Sequence, residues 1–203
     1  AIHGFLNIMF KILEEEKPDY LTVAFDVHAP TFRHEIYREY KGTRKPMPEE
    51  LREQVPVMKQ MLQAMGISIV EQAGLEADDI LGTLAVRAEK EGMEVALVSG
   101  DRDLLQIASE HIKIRIPKTK GGRTEVENYY AADVKERYQV TPKQFIELKA
   151  LMGDTADNIP GVPKVGEKTA AELMLQFGSL ENIYDNLDNI TKKAVRESLA
   201  AHR

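Results

Sequence analysis

The 203-residue sequence has no cysteine and no tryptophan, and aromatic residues make up only 6% of it. Without cysteine there is no disulfide, no thiolate-bound zinc, no iron–sulfur cluster and no thiol nucleophile. A metal must then sit on Asp, Glu, His or backbone oxygen, which selects hard cations such as Mg²⁺ or Mn²⁺. Long apolar runs are missing too. Nothing approaches the ~18 consecutive apolar residues of a membrane span, and no secretory signal pattern opens the chain, so a cytoplasmic setting is permitted. Histidine is scarce, five in all. His3, His111 and His202 read as peripheral, His28 and His34 flank a basic stretch, and none is marked out as a catalytic base.

What is present is a composition able to build a core, 43% hydrophobic and 30% charged, with a net charge of −6 from 27 basic and 33 acidic residues. The average argues weakly against a polyanionic partner, but the distribution is uneven. Arg33, Arg38, Lys41, Arg44 and Lys45 face only Glu35 and Glu39 within residues 33–45, and Lys113, Arg115, Lys118, Lys120 and Arg123 occur with no acid among them. Screening limits the field to the nearest ~10 Å, so a local basic segment can bind phosphate whatever the global sum. Solvated surface charge is the plain alternative for each.

Periodicity lays out the elements. Phe5, Ile8, Met9, Ile12 and Leu13 recur at helical spacing before Pro18, predicting a helix over 3–16. Residues 20–25 read as a buried strand delivering Asp26. From Pro30 to about Pro56 the chain is polar, basic and broken by Gly42, Pro46 and Pro48, a mobile or partly helical excursion. Val57, Met58, Met61, Leu62 and Met65 predict a core-packed helix, and 67–70 a second strand. Residues 77–91 predict a helix with Ile80, Leu81, Leu84 and Ala88 inward. A third strand follows at 95–98 and a short helix at 104–108. Two further strands, 112–116 and 124–126, flank a Gly121-Gly122 turn. Beyond Tyr129 the strands stop, and 131–139, 142–152, 167–177, 180–187 and 190–200 read as helices. Alternating strands and helices imply an α/β fold: a twisted, mostly parallel sheet with helices on both faces, then a helical C-terminal part. The division expected is 1–130, with the basic excursion at 30–56, and 131–203.

Carboxylates gather at element boundaries. Asp26 follows the first strand; Glu76, Asp78 and Asp79 open the helix after the second; Asp101 and Asp103 follow the third; Asp154 and Asp157 close a helix in the C-terminal half. In an open parallel sheet the carboxyl ends of the strands share one edge, so the first three groups should meet in one crevice. A single Asp at a helix start is most simply a cap. Eight acids in four such groups would repel one another unless cations neutralised them, and divalent ions do that. Further on, Ile159-Pro-Gly-Val-Pro-Lys-Val-Gly-Glu-Lys-Thr-Ala170 feeds a Pro/Gly turn into a helix N-terminus that offers backbone N–H groups to an anion, beside Lys164 and Lys168. At that spacing it resembles a helix–hairpin–helix motif, within 158–177, which grips a DNA backbone without reading sequence.

Taken in order, Val-Ala-Phe-Asp26, Thr31-Phe-Arg-His-Glu35, Tyr40-Lys-Gly-Thr-Arg44, Glu76-Ala-Asp-Asp79, Ser99-Gly-Asp-Arg-Asp103, Gly153-Asp-Thr-Ala-Asp-Asn158 and Gly166-Glu-Lys-Thr-Ala170 resemble the 5′-nuclease domain of bacterial DNA polymerase I, in the flap endonuclease family. The resemblance runs from about residue 4 to the end. It implies a PIN-like core and two or more Mg²⁺ or Mn²⁺ ions, with Asp26, Glu76, Asp78 and Asp79 serving the first and Asp101, Asp103, Asp154 and Asp157 the second. Residues 30–56 would be the arch entered by a 5′ single strand, with Lys41 and Arg44 on the scissile phosphate and Arg33 and Tyr37 assisting. Gly161, Val162, Lys164, Val165, Gly166, Lys168 and Thr169 would hold the duplex, with a monovalent cation on the hairpin carbonyls. The implied partner is DNA with a 5′ flap, nick or RNA primer end, in bacterial replication and repair. The implied protein is monomeric and part of a longer chain with a polymerase domain. The alternative is a DNA-junction binding fragment of the same fold without catalysis. Three departures stand out. The family's opening strand ending in Asp-Gly-Asn does not precede Ala1, as expected of a fragment of reduced activity. Lys164 stands where the hairpin usually carries Gly, and Ala156 where it carries Ser.

Overall fold

In the computed structural model, residues 1–120 and 123–203 are described. The expected Gly121-Gly122 turn lies outside the described residues. Helix α1 (Ile2–Glu16) ends on Lys17, left-handed at φ 45°, whose N–H donates to Leu13 O at 2.9 Å. Its apolar stripe packs Met9 with Met58 and Leu62 and with partly buried Phe5, Leu6, Leu13, Val23, Phe25 and Ile69. Strand β1 (Thr22–Ala24) pairs in parallel with β2 (Ser68–Val70), Val23 opposite Ile69. Between them run α2 (Phe32–Ile36), a set of turns, and α3 (Glu49–Ala64).

Helix α3 starts well before the residues that predicted it. Pro48 caps it, Glu49 and Glu50 occupy its first turn, and Pro56 lies inside it. Acids at the N-terminus favour the helix dipole. The one backbone bond Pro56 cannot make is offset by seating Met58 and Leu62 in the core. Met61, Met65 and Val57, expected inward, are exposed. The basic excursion is therefore shorter than its composition suggested and ends near residue 48.

Helix α4 (Ala77–Lys90) buries Ile80 and Ala85, with Leu84 turned outward rather than inward. Strand β3 (Val95–Val98) leads into a 3₁₀ helix (Arg102–Ile107), then β4 (Ile112–Lys120) and β5 (Arg123–Tyr129). The expected single sheet is realised as two among the described residues, β1–β2 and β3–β4–β5, with α4 packed against β1, β3 and β4. The β1–β2 and β3–β4 pairs are parallel and the longest ladder, β4–β5, is antiparallel. The short connection between β4 and β5 permits only an antiparallel pair.

Alternation along β4 sends Ile112, Ile114 and Ile116 into the main core, while Lys113 and Arg115 point the other way. There they meet α1. Arg115, 3% exposed, is paired with Glu15 and, at 2.5 Å, with Glu16, and its Nε donates to Asn128 at 3.0 Å; Lys113 reaches Glu16 at 2.7 Å. Lys118 pairs with Glu127 at 2.5 Å. Three of the five cations of the second basic segment are therefore consumed inside the fold and are not a free phosphate-binding surface.

The C-terminal part holds α5 (Ala131–Tyr138), α6 (Pro142–Met152), α7 (Glu167–Phe177), α8 (Leu180–Asp185) and α9 (Lys193–Ala201). Strands do not stop at Tyr129: β6 (Gly153–Asp154) and β7 (Ile159–Pro160) form a two-residue antiparallel pair. One apolar core runs from Ala85 through Leu97, Leu105, Ile114, Leu148 and Leu173 to Leu199, so these helices are packed onto the β3–β5 sheet.

Candidate functional site

Two loops and two helix starts build the site. Glu76 is the N-cap of α4, and its N–H donates to Asp79 Oδ2 at 2.9 Å in a reciprocal capping box. Asp26, just past β1, accepts from Ala77 N at 2.7 Å and so caps the same helix from outside. Asp101 caps the 3₁₀ helix by accepting from Asp103 N at 2.8 Å. Asp154 accepts from Ala156 N at 2.8 Å and Asp157 N at 3.2 Å. Capping and convergence are therefore both real. Glu76, Asp78, Asp79, Asp101, Asp103 and Asp157 line one cavity of about 690 Å³ together with Arg33 and Tyr40. Asp26 and Asp154 are not part of that lining, although the charge of Asp26 is felt at Asp78.

The cavity is held together by cations of the protein. Arg33 makes a two-pronged pair with Asp79, at 2.8 and 2.7 Å. Lys41 Nζ lies 2.8 Å from Glu76 Oε1. Arg44 pairs with Asp157 and donates from Nε to Ala156 O at 3.1 Å. Lys149 on α6 lies 2.6 Å from Asp154 and 3.0 Å from Asp103. The turn itself is also tied down: Lys41 N–H donates to Asp157 O at 2.9 Å, and Asn158 Nδ2 to Glu39 O at 2.8 Å. Lys41 and Arg44 stand in turns, not on successive turns of a helix. Tyr40, 5% exposed, places its hydroxyl 3.0 Å from both Glu76 and Asp157. Burial and those carboxylates push its ionisation far above the usual phenol range.

The acids divide by partner. The Arg33 guanidinium holds Asp79 below the ordinary carboxylate range. Among the described residues Asp78 has no such cation: burial, then the charge of Asp101, pushes it up to about 6, against a 3.3 Å bond from Ser99 Oγ. Burial likewise raises Asp103, against Lys149. Asp103 Oδ1 is buried with no hydrogen-bond partner, its 3.0 Å approach to Lys149 lacking the right geometry. A buried carboxylate oxygen without a donor is where a cation is wanted, and an all-oxygen donor set suits a hard divalent ion. Among the described residues no three acidic or histidine side chains are gathered as a ready-made cage. The acids are near one another but held by side-chain cations.

Beside this cavity, Gly153 and Gly161 cross in near contact. A Cβ on Gly161 would fall 2.1 Å from Met152 C, and one on Gly153 2.2 Å from Gly161 N. The hairpin that follows roots Val162 and Val165 in the core, at 9% and 4% exposure, and leaves Lys164 and Lys168 outside. Gly166 caps α7 with extended backbone and no side-chain bond, so the first-turn N–H groups face outward near Lys168 and Thr169. The hairpin carbonyls expected to hold a monovalent ion are partly taken: Val162 O accepts from Val165 N at 3.0 Å and Pro163 O from Ser198 Oγ at 2.6 Å. Tyr37 lines a second, smaller hollow with Arg33, Ile36, Tyr40, Ile159 and Pro160. Tyr40 and Lys149 were not among the sequence-derived site residues.

Comparison with known proteins decides the family. Residues 1–139 match the model of the 5′-3′ exonuclease N-terminal resolvase-like domain, and residues 140–203 that of the 5′-3′ exonuclease C-terminal SAM fold. The chain belongs to the 5′-3′ exonuclease family. Its relatives include DNA polymerase I of Bacillus caldotenax, 50% identical over 203 residues, and that of Bacillus subtilis, 49% identical over 199. These alignments cover 100% and 98% of this chain but 23% and 22% of the relatives, so the chain spans under a quarter of their length. Among solved structures, the T5 D15 protein co-crystallised with metal ions aligns with a TM-score of 0.79 at 26% identity, covering 98% of this chain and 77% of that one. The catalytic core of Rad2 in complex with DNA shares the fold at 22% identity and a TM-score of 0.65, covering 98% and 62%. Family and fold thus agree with the α/β reading. Among the described residues no helix is long and apolar enough to cross a membrane.

Proposed function

We propose that this chain is a divalent-metal-dependent 5′-nuclease that hydrolyses DNA phosphodiesters at flaps, nicks and RNA primer ends. The observation that carries the reading is the convergence of six carboxylates on one cavity, three of them paired with Arg33, Lys41 and Arg44. Asp26, Glu76, Asp78 and Asp79 are assigned to one Mg²⁺ and Asp101, Asp103, Asp154 and Asp157 to another. When bound, such ions polarise the phosphate and lower the pKa of an attacking water. A T5 5′-exonuclease structure, aligning at 26% identity, has zinc bound, which supports divalent metal use.

The chain's own groups do the rest. Arg33, Lys41 and Arg44 stand within hydrogen-bond reach of the same carboxylates and are placed to exchange them for phosphate oxygens, stabilising charge that develops in the transition state. Tyr40 fixes the spacing of Glu76 and Asp157. Tyr37 offers a ring to an unstacked base, and Gly161 to Thr169 hold duplex backbone through N–H groups, Lys164 and Lys168. The protein acts as a monomer on DNA in the bacterial cytoplasm, within a longer polymerase chain.

A labelled 5′-flap substrate tests this. Short 5′ products appear with Mg²⁺ and are lost in Asp101→Asn; undiminished cleavage in EDTA would overturn the proposal. No observation favours junction binding without catalysis.

A further inference from the structure

Four cations of the protein stand on carboxylates of the cavity, and they differ in how they are mounted. Arg33, Lys41 and Arg44 lie between residues 33 and 44, on a short helix and turns. Lys149 lies in the last turn of α6, between Leu148 and Leu151, which are 1% and 0% exposed. Its backbone cannot leave. Its ammonium spans Asp103, from the N-terminal family region, and Asp154, from the C-terminal one. The two contacts are unequal: Asp154 Oδ2 receives a true hydrogen bond at 2.6 Å, whereas Asp103 Oδ1 stays buried and unbonded 3.0 Å away. The ammonium therefore neutralises the pair without satisfying it.

We propose that Lys149 is a resident cation of the second acid group, with which the divalent ion assigned to Asp101, Asp103, Asp154 and Asp157 must compete. This rests on the metal-site reading above. Lys149 is thus a positioning residue that sets how tightly that ion is held. An ion taking oxygens of Asp103 and Asp154 enters the field of a positive charge within hydrogen-bond distance of both, and a like charge at such range weakens binding by well over tenfold at protein-surface dielectric. Part of that loss is recovered because the side chain, unlike the helix, can swing aside. The first group carries cations of its own, Arg33 on Asp79 and Lys41 on Glu76, but these sit on the short helix and turns of residues 33–44 and not on a core-seated helix.

A purely structural role predicts the opposite sign. If Lys149 only pins α6 to the 3₁₀ helix, its loss lets Asp103 and Asp154 separate and weakens the ion.

Calorimetric titration with Mn²⁺ alone, on wild type, Lys149→Met and Lys149→Arg, separates the two. The expected result is a weaker Mn²⁺ event tightened about tenfold in Lys149→Met, or one more ion counted by electron paramagnetic resonance, with Lys149→Arg close to wild type. An unchanged or weakened isotherm in Lys149→Met overturns the resident-cation role while leaving the metal site intact. Wild type that takes up no Mn²⁺ overturns both. Should Lys149→Met not fold in EDTA, ¹³C-dimethylated wild-type lysines serve, with the Lys149 resonance assigned by its absence in Lys149→Arg. That resonance must move on Mg²⁺ saturation, and one that stays fixed overturns the proposal.

Discussion

Lys164 carries a side chain in a backbone conformation that disfavours one. Its φ is 68°, in the left-handed region that favours glycine. A Cβ there costs on the order of 1 kcal/mol. Lys164→Gly is expected to raise the melting temperature by about 2–4 °C while weakening DNA retention, checked by thermal melts and flap-binding titrations on the same samples. At the far end of β4, His111 Nδ1 lies 2.6 Å from Glu94, and that carboxylate raises the imidazole's pKa. A raised histidine stabilises the fold below its unfolded value of ~6.5, and that contribution fades as pH climbs through the folded midpoint. The NMR titration of His111 should therefore have its midpoint above ~6.5 and fall toward that value in Glu94→Gln. The residue scale also shows what spacing could reveal. Six of the eight acids expected to meet line one cavity, and they were legible because carboxylates at strand and helix boundaries are marked by position alone. Tyr40 was visible only as one letter of a basic stretch. Lys149 looked like any helix-surface lysine until folding set it between two acids 46 and 5 residues away.

Helices were the readable elements. The ends of α6 and α7 and the body of α1 follow from apolar periodicity with Thr141, Gly166 and Gly178 as punctuation. The start of α3 was not, since its first turns are charged and contribute nothing to a hydrophobic stripe, and Pro56 reads as a stop. Strands β6 and β7 have no periodicity to detect at two residues each. What creates them is the crossing of Gly153 and Gly161, a tertiary event. Gly161→Ala places a methyl 2.1 Å from Met152 C and 2.4 Å from Gly153 N, contacts that only a shift of backbone relieves. A loss of more than about 3 kcal/mol, or failure to fold, is expected in urea melts. Gly166→Ala, with nothing within 4 Å of the added carbon, should cost far less and serves as the comparison.

For the molecule as a whole, alternation of strands and helices foretold an α/β core but not which edges would bond. Hydrophobic strand patterns say that a strand is buried on both faces, not which neighbour it takes. The same ambiguity hid the partners of the second basic segment, which α1 neutralises through Glu15 and Glu16 from nearly 100 residues away. A net charge of −6 should make DNA binding unusually dependent on which cations are free. Each phosphate contact adds about −0.9 to the slope of log K against log salt. Lys164 and Lys168 alone give a slope of about −2; releasing Arg33, Lys41 and Arg44 from their carboxylates brings it to about −4.5. Flap binding across a KCl series should show the shallow slope in EDTA and the steep one in Ca²⁺.

The interlocked glycines have a mechanical meaning. With no slack between residues 153 and 161, the surface proposed to clasp double-stranded DNA and the acids proposed to work on its 5′ strand belong to a single stiff bracket. Such a bracket behaves as a caliper: once the duplex is seated, the bond to be cut lies at a set stride from the junction, and product length is dictated by the protein rather than by base sequence.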